Sequence, residues 1–212
     1  SIQIDFYSPA PITLPAAGPE VSKKILDLVN SEKITFHNSK KIIRVEPKKL
    51  IFENDEYSFD ILLAIPPHTA PKVIYDSNLA KEPGFIPINR DCKTPHENIF
   101  AVGDVTSLVV TDSMAVPKAG VFAEGEGIAV AKNIVSKLLS KEPSVLFDGK
   151  GGCFLESGRD TASIIEVDMF ADPKPSTRLT ESTKDNLSKK LDFEKERLSK
   201  WLWTIFLIRF SS

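Results

Sequence analysis

Two segments of this chain bring together residue types that can grip one polar ligand between them. The first, Asn98-Ile99-Phe100-Ala101-Val102-Gly103-Asp104, reads as a short apolar strand ending on a glycine and a carboxylate. The second, Val116-Pro117-Lys118-Ala119-Gly120 and then Val121-Phe122-Ala123-Glu124-Gly125-Glu126-Gly127, reads as a turn that opens a helix. Gly103 lets backbone come close to a ligand. Asp104 is placed to accept hydrogen bonds from ribityl hydroxyls, and free N–H groups near Ala119 and Gly120 to stabilise negative charge on the N1 and O2 edge of a reduced flavin. A carboxylate and a helix N-terminus flanking one ligand suit a flavin. The expected cofactor contacts are therefore Gly103, Asp104, Pro117, Lys118, Ala119 and Gly120. Gly-Asp alone is also an ordinary turn, and the ordered Pro-Lys-Ala-Gly partner is what favours the ligand reading.

Three further residues carry candidate catalytic chemistry. Lys118 offers an ammonium to an anionic reduced flavin, against the bland reading of an exposed first-turn lysine. His68 follows Pro66-Pro67 where an apolar strand should end, and ligands in open α/β sheets bind beyond the carboxyl ends of strands. Cys153 lies between glycines and phenylalanine in a late strand, where it is either a reactive sulfur or a small buried hydrophobe. Cys92, in an Asn-Arg-Asp-Cys-Lys loop, reads as incidental, and His37 and His96 carry no motif. Glu124 and Glu126 fall two apart on the expected helix and so do not share a face.

The elements that must position these residues follow from period and punctuation. Ile2 to Tyr7 alternates as a strand, Ser8 to Gly18 is a Pro-rich loop, and Glu20 to Val29 has the spacing of an amphipathic helix at Val21, Ile25, Leu28 and Val29. Short strands are expected at Ile34 to His37, Lys41 to Glu46, Leu50 to Phe52 and Asp60 to Ile65. The last is nearly continuous in apolar residues, as in a strand buried on both faces. From Phe85 to Val105 the chain would return to a second unit, with a helix from Gly120 to Leu139 behind it. Leu146 to Phe147, Cys153 to Glu156 and Ala162 to Val167 read as a small antiparallel sheet with Ser157-Gly158-Arg159-Asp160 as a turn. Charged helices are expected from Glu181 to Leu191 and from Phe193 onward.

Composition bounds the rest. The chain has 212 residues and is 42% apolar, enough for a core, and a net charge of −2 offers no general basic field to nucleic acid. Cys92 and Cys153 form no CxxC or Cys/His cluster, so neither a zinc site nor a disulfide framework is expected, and no metal ligands are assigned. The segment Trp201 to Phe210 carries two tryptophans and two phenylalanines beside Lys189, Lys190, Lys195, Arg197 and Lys200. It is too short to span a bilayer but suits a helix lying on a membrane surface. The expected location is cytoplasmic or peripheral on a membrane.

The Gly-Asp and Pro-Lys-Ala-Gly pair resembles the second FAD-contact motif of two-dinucleotide-domain flavoprotein reductases. Phe6-Tyr7-Ser8-Pro9 with Ala17-Gly18-Pro19-Glu20, Ile65-Pro66-Pro67-His68, and Gly151-Gly152-Cys153-Phe154-Leu155-Glu156 narrow the resemblance to the sulfide:quinone oxidoreductases and flavocytochrome c sulfide dehydrogenase flavoprotein subunits. It runs in order along essentially the whole chain. The fold class it implies is α/β: the C-terminal part of a two-Rossmann-domain FAD/NAD(P)-binding flavoprotein with a small C-terminal α+β extension. Residues 1–82 would form the second half of a nicotinamide-type domain, 83–143 the C-terminal part of the FAD-binding domain, and 144–212 the extension. The resemblance further implies FAD as cofactor, sulfide or polysulfide as electron donor, and a quinone as acceptor. Cys153 would be one of two redox sulfurs, and Lys118 would face flavin or a quinone carbonyl.

No glycine-rich GxGxxG turn, the pyrophosphate seat of that fold, occurs in these residues. Ser1 opens directly onto a strand with no leader. The chain is thus expected to be the C-terminal portion of a longer flavoprotein, partnered by the N-terminal part of the same fold. Two other readings stand beside this one. A non-catalytic fragment or interaction module would bind no FAD by itself and would cover its sheet edges in a homodimer. An NADH:quinone-type reductase is disfavoured, since Pro-Pro-His stands where nicotinamide-using relatives often carry a Gly-Arg-x-Pro ending.

Overall fold

The computed structural model describes residues 2–112, 114–142, 144–158 and 160–209, and side chains as far as residue 202. The chain starts as a βαβ crossover. Strand β1 (Ile4–Tyr7) pairs in parallel with β2 (Ile34–His37), with Ile4 opposite Ile34 and Tyr7 opposite His37, and helix α1 (Gly18–Ser31) joins them. Pro19 in the first turn and Glu20 beside it start α1 where a missing N–H costs nothing and a negative charge is favoured. Ser22, buried, both donates to the Leu14 carbonyl at 2.8 Å and accepts from the Leu14 N–H at 3.1 Å, which ties the Pro-rich loop to the helix. A three-stranded antiparallel meander follows, β3 (Arg44–Glu46), β4 (Lys49–Ile51) and β5 (Glu56–Ser58).

Two expectations fail here for one reason. The run 60–65 forms no strand, and Ile61, Leu63 and Ile65 are 83%, 93% and 87% exposed. Likewise Ile99 to Val102 is not a strand: only an isolated bridge between Lys93 and Phe100 supports it, and Ile99 and Val102 are exposed. Both runs carry the pattern of central parallel strands. Such strands exist only as ladders: among the described residues none pairs with 60–65, and 99–101 has only a short antiparallel pairing with 92–94. The strand expected over Lys41 to Glu46 is also shorter, beginning at Arg44.

After the short helix α2 (Lys72–Asp76) the second unit is built from β6 (Ile86–Pro87) in parallel with β7 (Thr106–Ser107), a hairpin of β8 (Val109–Thr111) and β9 (Met114–Ala115), and helix α3 (Gly120–Leu138). The core lies between them and the next sheet: Ile86, Ile88, Cys92, Ala101, Leu108, Phe122, Ala129, Phe147 and Met169. Cys92 is therefore not incidental. It is fully buried and packs as a small hydrophobe. Phe147 meets Phe122 and Phe170 edge to face at 6.1 and 6.3 Å.

The last sheet is antiparallel, β10 (Lys150–Glu156), β11 (Ala162–Asp168) and β12 (Ser176–Leu179). The expected strand Leu146 to Phe147 is absent, because the Phe147 N–H is spent on the Arg90 carbonyl at 2.7 Å. Its place is taken by β12. Arg159 of the expected turn lies outside the described residues. The two helices expected after Glu181 are one, α4 (Lys184–Arg209). Nothing between Leu191 and Phe193 breaks a helix, Asp192 being only a weak former. The Thr183 hydroxyl caps the start by accepting the Asn186 N–H at 3.1 Å. No helix among the described residues is long and apolar enough to cross a membrane. In the expected surface-seeking segment Trp201 and Leu202 are exposed, and the side chains beyond them lie outside the described residues.

Candidate functional site

The N-terminus of α3 is the place where the expected residues converge. Ala119 precedes it in extended conformation and no side chain caps it. A Cβ built on Gly120 would meet nothing within 4 Å, so the space in front of the helix is open. Facing it is the turn at Gly103, whose φ of +76° suits glycine, and where a Cβ would sit 3.2 Å from Ala123 Cβ. Both polar backbone atoms of Gly103 are held by side chains. Its N–H donates to Glu126 Oε2 at 2.6 Å, and its carbonyl accepts from the Thr106 hydroxyl at 2.8 Å.

Lys118 enters the same cavity, which is lined by Gly103, Thr106, Pro117, Lys118, Ala119 and Glu126 among others. It precedes the helix and is half-buried. Its ammonium donates to the Thr106 carbonyl at 2.8 Å and lies 3.5 Å from the centroid of Phe85. Desolvation lowers its pKa, against the opposing fields of Asp104 and Glu126. Glu126 is 2% exposed, and burial pushes its carboxyl above the ordinary range despite the Gly103 bond and Lys118. Asp104 itself is exposed at the rim.

A second, larger groove of about 570 Å³ opens on the other side of the same helix start. Ala119, Gly120 and Val121 form one wall, Gly152, Cys153 and Phe154 of β10 another, and Phe193, Arg197 and Trp201 of α4 the third. Cys153 is exposed, yet desolvation raises the pKa of its thiol. Gly151 is needed for packing here: a Cβ on it would lie 2.5 Å from Phe122 Cε1 and 3.1 Å from Val121 Cγ2. Gly151, two residues before Cys153, thus lets β10 lie against α3. Arg197 and Lys200 of α4 reach Glu124 at 2.8 and 3.1 Å, and Arg197 stacks 3.7 Å over Phe193.

The structure therefore gathers Gly103, Pro117, Lys118, Ala119 and Gly120, with Asp104 at the edge and Cys153 in the adjoining groove. His68 stays apart, exposed in the unpaired run after residue 59 and lining neither cavity. Cys92 is sealed away. Burial first, then Glu126 and Asp91, push its thiol up to about 12. Sequence reasoning missed Glu126, Thr106 and Phe85. For Glu126 a signal existed: Phe122, Glu126, Ala129 and Asn133 are the buried residues of α3, spaced four, three and four apart as one helical stripe.

Residues 8–131 match the pyridine nucleotide-disulphide oxidoreductase family. The mitochondrial sulfide:quinone oxidoreductase of Schizosaccharomyces pombe is 23% identical over 186 residues, covering 83% of this chain and 39% of that protein. The X-ray structure of the sulfide:quinone oxidoreductase from the hyperthermophilic bacterium Aquifex aeolicus superposes with a TM-score of 0.79 at 24% identity, over 93% of this chain and 49% of that one. A FAD-dependent pyridine nucleotide-disulphide oxidoreductase from Desulfovibrio vulgaris superposes with a TM-score of 0.57 at 14% identity, over 79% and 43%. The chain spans roughly two-fifths to half the length of these relatives. Its fold is the α/β fold of FAD-dependent oxidoreductases.

Proposed function

Because the chain belongs to the pyridine nucleotide-disulphide oxidoreductase family, we propose that the complete protein is a flavoenzyme passing electrons from sulfide or a related sulfur species, through FAD, to a quinone. The observation that carries the reading is the shared wall at Ala119. It lines both the cavity of Gly103 and Lys118 and the groove that holds Cys153. A ligand seated at the start of α3 is then within reach of both.

The residues fit a flavin. The uncapped helix start and the open space at Gly120 receive a planar, partly anionic edge, and the Gly103 turn allows close backbone approach. In this reading Gly103, Asp104, Pro117, Lys118, Ala119 and Gly120 hold the cofactor, which supplies two-electron transfer when bound. Asp104 accepts from ligand hydroxyls at the rim. Lys118, clamped by Thr106 and Phe85, holds positive charge in a poorly solvated cavity and favours negative charge arriving there. Cys153 presents sulfur in an open groove whose walls are largely apolar, which suits a quinone ring. Residues 1–82, 83–143 and 144–212 then belong to the nicotinamide-type domain, the FAD domain and the extension. His68 retains a role only if the chain segment carrying it moves toward the site.

The test is the visible spectrum of the complete protein after incubation with FAD and desalting. The reading expects retained flavin absorbance that bleaches with sulfide and returns with a soluble quinone. Retained flavin that sulfide leaves unbleached would overturn the sulfur assignment, and no flavin at all would overturn the flavoenzyme. The exposed apolar runs at Ile61, Leu63, Ile65, Ile99 and Val102 favour a second reading for these 212 residues taken alone. On that reading they are an interaction module that binds FAD only once neighbouring strands cover those runs. A colourless, self-associating 212-residue chain beside a yellow complete protein would bear it out.

A further inference from the structure

Glu126 is the carboxylate of α3 that the proposed function leaves without a task. Burying a carboxylate is costly unless partners compensate. Its Oε2 has one, the Gly103 N–H at 2.6 Å, and the residue lines the cavity that Lys118 shares. The titratable groups around it come from three elements: Asp104 beyond the Gly103 turn, Lys118 before α3, and Cys92, whose thiol donates to the Glu126 carbonyl at 3.8 Å. Asp104 opposes its charge and Lys118 favours it.

Resting on the flavin reading above, we propose that Glu126 is a positioning residue that fixes the Gly103-Asp104 turn through the Gly103 N–H and sets the charge of the cavity Lys118 faces. Thr106 holds the Gly103 carbonyl and Glu126 holds the N–H, so the turn is pinned at both of its polar backbone atoms. Losing Glu126 frees one of them, in a place where an unmade bond is expensive. The second half of the role is electrostatic. Negative charge arriving in front of α3 makes a proton on Glu126 more favourable, and burial already places that titration above the ordinary carboxyl range.

Two variants separate the halves. Glutamine keeps the acceptor but cannot titrate, whereas leucine keeps neither. In the complete protein E126L weakens FAD binding about tenfold or more, and E126Q leaves it within about threefold. E126Q shows a shallower slope of flavin midpoint potential against pH than wild type. In the 212-residue chain, amide exchange in residues 99–106 is faster in E126L and unchanged in E126Q. The proposal is overturned if E126L exchanges as wild type does, or if E126Q reproduces the wild-type slope. Should the wild-type complete protein bind no FAD, the flavin reading falls, while the exchange comparison still decides whether Glu126 pins the turn.

Discussion

Alanine at Gly120 and at Gly151 should fail in opposite ways. A Cβ on Gly120 meets no atom within 4 Å. Alanine is the better helix former, so G120A leaves the melting temperature of the chain unchanged or raises it, by at most the roughly 1 kcal/mol of the glycine-to-alanine difference. On Gly151 the new carbon would lie 2.5 and 3.0 Å from two ring atoms of Phe122 and 3.1 Å from Val121. Phe122 is buried and packed edge to face on Phe147, so its ring cannot swing aside without disturbing the core. Overpacking of this kind costs about 1–3 kcal/mol. For a chain of this size each kcal/mol moves the midpoint by roughly 2–4 °C, so G151A should melt lower by roughly 2–12 °C in thermal unfolding followed by circular dichroism. FAD affinity of the complete protein should sort the other way: G120A puts a methyl group into the space the ligand would fill and weakens binding about tenfold, or roughly 1.4 kcal/mol. If G151A melts with wild type, β10 is not pressed against α3 as described. If G120A binds FAD like wild type, the open space before α3 is not the cofactor's.

Two other outcomes follow from the charges and thiols. Titrating the native 212-residue chain with an aromatic disulfide should find one thiol, Cys153, and denaturant should release a second, Cys92, which is fully buried with its pKa pushed up to about 12. The Cys153 rate should rise at higher pH than an unperturbed thiol's, because the thiolate is the reactive form and burial disfavours it. Two reactive thiols in the native chain, or an early rise, would contradict the structure. Glu124→Gln removes a charged partner of Arg197 and Lys200 and should speed tryptic cleavage within α4. Exposed pairs of this type are worth up to about 1 kcal/mol, so the effect is modest and weakens in high salt. Hydrogen bonds from Lys200 and Arg197 lower the Glu124 pKa. Its contribution is therefore present above the ordinary carboxyl range and lost as pH falls through the lowered value, so wild-type α4 should loosen only in acid. Equal cleavage of variant and wild type at neutral pH would show that the Glu124 pairs do not help to hold α4.

Local punctuation made much of this structure legible. Pro19 and Glu20 mark the start of α1, and the Pro117-Lys118-Ala119-Gly120 turn places α3 to within a residue of where it ends. What period alone could not supply was ladder partners. Asp60 to Ile65 has the composition of a central strand, but composition says only what a segment would do if neighbours were there. The site was read with the same asymmetry. Glycines and a cap-like turn announce themselves in sequence, so Gly103 and Gly120 stood out as candidates, and the structure brings them close together. Glu126 was hidden by the habit of treating a helical carboxylate as solvated, although its place in the stripe of Phe122, Ala129 and Asn133 puts it on the buried face. The role of Gly151 was not legible at all. Its missing side chain serves contact with Phe122, which depends on how a late sheet docks and has no local signature.

Glu124 and Glu126 show how α3 sets the spacing of the two cavities. Two positions apart on a helix they point roughly 200° away from each other, Glu126 toward the Gly103 turn and Glu124 toward α4. Between them the first turn of α3 carries Phe122, whose ring is wedged against Gly151 and Phe147. The helix start therefore cannot move toward the Gly103 turn without drawing away from the Cys153 strand and from α4. Asn133 extends the constraint down the helix, exchanging two hydrogen bonds of 2.8 and 3.0 Å with the backbone of Val145 just before Phe147. The spacing between the Lys118 cavity and the Cys153 groove is thus set by core packing rather than by any flexible loop. That is the arrangement electron passage between a sulfur and a cofactor on opposite sides of Ala119 would need, since both must be held by one rigid element.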